Sequence, residues 1–118
     1  MRLSITLPTL FPDLVQESIR HIERAAVLLP CEVEIVVISP FEVRGDRILW
    51  VPEDEPAGNS SAHRAGFERS TGDYLLAMTD DHLLHEHALI DALTYYQKRE
   101  ERFFPLSVGL HQGFSVGT

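Results

Sequence analysis

Glu34-Ile35-Val36-Val37-Ile38-Ser39 is the segment that most restricts what this chain can become. Its four central residues are β-branched and apolar without a break. A strand with one wet face alternates apolar and polar residues. A continuous run is expected of a strand covered on both faces, as in a parallel sheet. Such a sheet needs crossover connections between its strands, and the flanking sequence supplies them.

Leu3, Ile5 and Leu7 alternate with polar residues and predict an opening strand that ends at Pro8-Thr9. Pro12-Asp13 predicts a helix start, with an acidic side chain near the positive end of the dipole. Val15, Ile19, Ile22, Ala26 and Leu29 then form one helical stripe, which Pro30 stops. Ile48 to Val51 predicts a third strand. A helix over about Ser61 to Ser70 is expected, capped by Asn59 or Ser60 and ended by Gly72 in the left-handed conformation. Tyr74 to Met78 predicts the next buried strand. Glu86 to Arg102 predicts a helix with Leu89, Ala92, Leu93 and Tyr96 on its apolar face, and Leu106 to Leu110 a last strand. Strands alternating with helices predict an α/β domain with a mainly parallel sheet flanked by helices. Ligands of such sheets bind outside the carboxyl ends of the strands. Pro8-Thr9, Ser39-Pro40 and Asp80-Asp81 all fall at such ends.

The 118 residues suit a single domain, and 44% hydrophobic with 24% charged residues is a globular composition. A formal net charge of −8 argues against generic binding to nucleic acid or to an anionic membrane. A phosphorylated ligand would need local cations or a divalent metal. Cys31 is the single cysteine, which leaves neither an intrachain disulfide nor a cysteine-based zinc site. Met1 to Leu7 lacks the apolar core of a signal peptide, and no apolar run approaches the roughly 20 residues of a membrane span. A cytoplasmic protein is expected.

The carboxylates of Asp80 and Asp81, in Thr79-Asp80-Asp81-His82, follow a buried strand. Two hard oxygen ligands beside a phosphate suit Mg²⁺ or Mn²⁺. The alternative is a capping cluster that satisfies amides of the next segment. His82 adjoins the carboxylates as a candidate third ligand, whereas His85 and His87 match no zinc spacing and are expected to be solvated or capping. Gly58 to Gly66 offers a second candidate site, because a helix N-terminus presents amides to an anion. His63 and Arg64 lie within it. No nucleophile triad is evident.

Taken in order, Ser4 to Thr9, Glu34 to Ser39, Gly58 with Ala62-His63-Arg64-Ala65-Gly66, Ser70 to Leu75 and Thr79-Asp80-Asp81 resemble the N-terminal half of a family 2 glycosyltransferase with the glycosyltransferase-A fold. The resemblance runs from about Leu3 to Leu93. It implies a Rossmann-like domain that binds a nucleotide-diphosphate sugar, UDP- or GDP-linked, through a divalent metal. Pro8, Thr9 and Ser39 map to the nucleotide pocket, and His63 and Arg64 to the family's Ala-Arg-Asn-x-Gly segment. Asp81 maps to the metal motif, with Asp80 as helper to metal and nucleotide. Ser39 stands where the family usually carries aspartate, and Thr79 where its metal motif begins with one. The acceptor half of the family lies beyond this region. No acidic residue follows Glu101, so the resemblance assigns no catalytic base here. A non-catalytic interaction module that keeps the fold is the alternative. A half-sheet leaves an unpaired edge, so a homodimer is expected.

Overall fold

The computed structural model describes residues 1–81 and 83–99. Seven elements run in the order β1 (Arg2–Pro8), α1 (Pro12–Ala26), β2 (Glu32–Ser39), β3 (Ile48–Pro52), α2 (Asn59–Arg69), β4 (Tyr74–Ala77) and α3 (Ala88–Arg99). The expected strand over Leu106 to Leu110 lies outside the described residues.

The sheet has the order β3-β2-β1-β4, and every pairing is parallel. This is an α/β, Rossmann-like arrangement. Leu3, Ile5 and Leu7 on β1 and Val33, Ile35 and Val37 on β2 share the face that α1 and α3 cover. The α1 stripe is buried as its spacing predicts, from Val15 and Ile22 at 0% exposed to Leu29 at 9%. The opposite face is smaller. Val36 and Ile38 of β2 and Val51 of β3 pack there against Ala62 of α2. Both faces of β2 are therefore covered, which is why its apolar run has no polar interruption.

α1 carries β1 to β2 on one face, and α2 carries β3 across to β4 on the other. Between these crossovers the chain reverses its direction of travel across the sheet, at the junction of β1 and β4. The link from β2 to β3 contains no helix. Residues 40–47 make it, and Phe41 and Val43 fold back onto the α1 side. A parallel crossover this short is uncommon.

Two expectations about α2 are corrected. Neither Asn59 nor Ser60 caps it from outside, because both lie within the helix; Gly58 is the cap residue, with φ +98° and no side-chain cap bond. Gly72 does not terminate the helix in the left-handed region. Helix α2 ends at Arg69 with Ser70 extended, and the Ser70 hydroxyl donates to Gly66 O at 2.7 Å. The space at Gly72 is taken by β1: a Cβ there would stand 2.5 Å from Ser4 Oγ and 2.7 Å from Ser4 N.

Candidate functional site at the strand ends

All four strands point the same way, so their carboxyl ends form one edge. The candidate residues gather where β1 and β4 end side by side. The β1–β4 ladder continues past β4 through Met78 N, which donates to Thr6 O at 2.9 Å. Two residues further, Asp80 meets Thr9.

Thr9 is 4% exposed and anchored on three sides. Its amide donates to Ile38 O at 3.0 Å, which ties the β1 end to β2. Its hydroxyl accepts from Phe11 N at 3.1 Å. The same hydroxyl lies 2.6 Å from Asp80 Oδ2 and 3.3 Å from Phe11 O. A hydroxyl has one proton, and a carboxylate at the shorter distance takes it. Asp80 is held a second time through its backbone. Ser18 on α1, 1% exposed, donates its hydroxyl to Asp80 O at 3.0 Å. Asp80 is thus fixed by side chain to β1 and by main chain to α1.

Asp81 is exposed, and Thr79 Oγ1 donates to its Oδ1 at 2.5 Å. His82 lies outside the described residues. Among the described residues no group of three or more His, Cys, Asp or Glu could by itself hold a metal ion. A Mg²⁺ or Mn²⁺ ion at such a place takes one or two carboxylates and completes its shell with phosphates and water. Asp81 and the second oxygen of Asp80 fit that donor set.

Pro8 and Ser39 sit on the same edge but are buried. The Ser39 hydroxyl donates to Phe41 O and accepts from Trp50 Nε1 at 3.0 Å. Ser39 O also accepts from Glu53 N at 2.9 Å. The side chain is turned into the fold and holds the turn after β2.

His63 and Arg64 lie on the α2 face. Arg64 is exposed and pairs with Glu68 one turn on, Nε to Oε1 3.4 Å. His63 is half-buried. Its Nδ1 is 2.7 Å from Thr6 Oγ1, and its ring stacks on Phe67 with centroids 6.1 Å apart. Burial lowers its pKa below the ordinary value of 6.5. An open groove lined by Ser60, His63, Arg64, Phe67, Glu68 and Ala77 runs along this face. Gly66 permits the close approach of α2, since a Cβ there would meet Thr6 Cγ2 and Ile38 Cδ1 at 2.8 Å.

Thr6, Ser18 and Trp50 escaped the sequence reasoning. Thr6 looked like the wet face of an alternating strand, and Ser18 like an ordinary helix polar residue. Only Trp50 carried a signal, because an indole N–H drawn out of water needs an acceptor.

No family model and no curated protein sequence matches the chain. Solved structures do. The crystal structure of S. aureus TarS 1-349 superposes with TM-score 0.71 at 14% identity, covering 92% of this chain and 39% of that one. The crystal structure of S. aureus TarS gives TM-score 0.75 at 14% identity, over 100% of this chain and 23% of the other. TarS 1-349 in complex with UDP-GlcNAc gives 0.70 at 14% identity, over 92% and 38%. The chain therefore spans less than two-fifths of the length of these structures, and the likeness shows that its fold is glycosyltransferase-like.

Proposed function

We propose that this chain is the nucleotide-binding part of a family 2 type glycosyltransferase and takes a UDP- or GDP-linked sugar together with Mg²⁺ or Mn²⁺. The observation that carries this reading is the Thr9–Asp80 hydrogen bond of 2.6 Å, made where the crossover direction reverses. That junction is where open parallel sheets bind nucleotides. A structural neighbour bound to UDP-GlcNAc supports the ligand class.

In this reading Asp81 holds the metal, with Asp80 and His82 as helpers. The metal supplies positive charge for the diphosphate in a chain whose own net charge is −8. Thr9 and Ser18 keep Asp80 fixed, so ligand binding does not have to order it. Pro8 and Ser39 form the floor through their backbone, and His63 and Arg64 contribute from α2.

Calorimetry with Mn²⁺ and a panel of UDP- and GDP-sugars tests the proposal. Binding that needs Mn²⁺ and is lost in Asp81→Ala is expected. Binding of none of these ligands, or binding indifferent to Asp81, sinks it. A non-catalytic module is the second reading, and the inward Ser39 hydroxyl favours it, because that side chain is spent on the fold. Donor turnover that disappears in Asp81→Ala would refute this second reading. A homodimer belongs to the same proposal: β4 is an outer strand among the described residues, and its Leu75 is 50% exposed. A monomer by light scattering at micromolar concentration would overturn it.

A further inference from the structure

His63 stands apart from the carboxylate edge, on the opposite face of the sheet from α1. Its only hydrogen-bond partner among the described residues is Thr6, and Thr6 Oγ1 has no other side-chain partner there. Thr6 is 0% exposed, at the centre of β1 between Val36 of β2 and Ala77 of β4.

The protonation pattern of this pair follows from satisfaction of donors. Suppose His63 carried its proton on Nδ1. Thr6 Oγ1 would then accept, and the Thr6 O–H would be a buried donor with no acceptor. Suppose instead that Nδ1 is bare. Thr6 then donates to it, and every buried donor in the pair is used. The imidazole proton then lies on Nε2, the ring nitrogen that Thr6 does not engage. His63 lines the open groove with Ser60, Arg64 and Ala77.

We infer that Thr6 is a positioning residue that locks His63 as the neutral Nε2–H tautomer, presenting a hydrogen-bond donor to an oxygen acceptor of the ligand in the α2 groove. The donor aspect of this inference rests on the nucleotide-sugar reading; the tautomer does not. An uncharged donor serves a carbonyl or phosphate oxygen without adding a buried charge. Phe67 stacks on the ring and Gly66 sets the helix-to-strand distance, so the donor is held rather than mobile.

The tautomer is read from imidazole ¹⁵N shifts of the full chain, with the His63 signals assigned by their loss in His63→Gln. Thr6→Val keeps the shape of the side chain and removes the hydroxyl; Thr6→Ser keeps the hydroxyl. The expected result is the Nε2–H form in the parent and in Thr6→Ser, and a mixture of tautomers in Thr6→Val. UDP with Mn²⁺ is the ligand probe, with uridine as the arm that lacks phosphate. UDP should bind Thr6→Val roughly three- to tenfold more weakly, with Thr6→Ser near the parent. A loss shared by uridine assigns the donor to the nucleoside, and a loss confined to UDP assigns it to the phosphates. An Nδ1–H tautomer in the parent, a tautomer unchanged in Thr6→Val, or UDP affinity unchanged in Thr6→Val overturns the inference. If the parent binds neither UDP nor, in its place, GDP, the nucleotide-sugar reading and the donor role both fall, while an Nε2–H ring lost in Thr6→Val still upholds the lock.

Discussion

Gly72→Ala is the sharpest structural perturbation this fold offers. The added Cβ would meet Ser4 Oγ at 2.5 Å, Ser4 N at 2.7 Å and Arg2 O at 2.9 Å. Ordinary contact begins near 3.4 Å, so each approach is short by about half an ångström or more. Two of the three atoms belong to the β1 backbone and cannot rotate away. Relief requires β1 and the start of β4 to separate. That movement strains the bonds from Gly72 N to Ser4 Oγ, 2.8 Å, and from Asp73 N to Arg2 O, 2.7 Å. Overpacking against backbone together with two weakened hydrogen bonds costs about 2–4 kcal/mol. In a chain of this size that lowers Tm by roughly 8–16 °C. Urea unfolding followed by circular dichroism measures the loss. Gly58→Ala is the control, because nothing lies within 4 Å of its Cβ and only its φ of +98° resists substitution. With ψ at 167° this is a backbone region almost confined to glycine, so Gly58→Ala should cost about 1–3 kcal/mol without displacing β1 or β4. A loss below about 0.5 kcal/mol in Gly72→Ala would refute the close-approach account.

Other expectations follow from the same contacts. Ser18→Ala removes the donor to Asp80 O and should cost about 1 kcal/mol in chemical denaturation. Trp50→Phe leaves Ser39 Oγ without its indole donor; about 1 kcal/mol of lost stability is expected, with the turn after β2 loosening as seen by hydrogen exchange at Glu53. Glu34 accepts from Ser4 Oγ at 2.7 Å and from Thr71 N at 3.0 Å. Burial pushes its pKa up, but these hydrogen bonds outweigh burial and hold it below the ordinary 4.5. The folded pKa is depressed, so the stabilisation is complete above the unfolded value and disappears as pH falls through the folded one. The His63 pKa is also depressed, from 6.5, so its share is complete above about 6.5 and is lost as pH falls below it, before the Glu34 share is. Stability measured against pH should therefore decline in two stages, and His63→Gln should remove only the upper one.

The layered architecture was legible because apolar patterning responds directly to burial. The α1 stripe and the unbroken β2 run both report how many faces are covered. The site was legible in part. Thr9 and Asp80 could be placed on one edge, since any parallel sheet puts its strand ends together. What patterning does not encode is the fate of a polar residue. Ser4 and Thr6 alternate with leucine and isoleucine as if facing water, yet both are fully buried. They tolerate it because Glu34 and His63 complete their hydrogen bonds from other elements. The hydroxyl of Ser39 is a further case: Trp50, from the neighbouring strand, donates to it. Gly72 was expected to free a helix end, and instead makes room for a strand. Each of these depends on a partner distant in sequence, which local periodicity does not report.

The separation between Thr9 and Asp80 has a kinetic consequence. They stand 71 positions apart, whereas the β1–β2 ladder joins residues 30 apart. Closing the longer loop costs only about 0.8 kcal/mol more in chain entropy, because that cost grows logarithmically. The order of events is affected more than the balance. Helix α2 lies between β3 and β4 in the chain, so the Thr9–Asp80 contact depends on the longer of the two loop closures. A chain that has built only β1, α1 and β2 presents Thr9 without its carboxylate. A ligand that needs both residues would therefore stabilise only a chain in which β4 has joined β1.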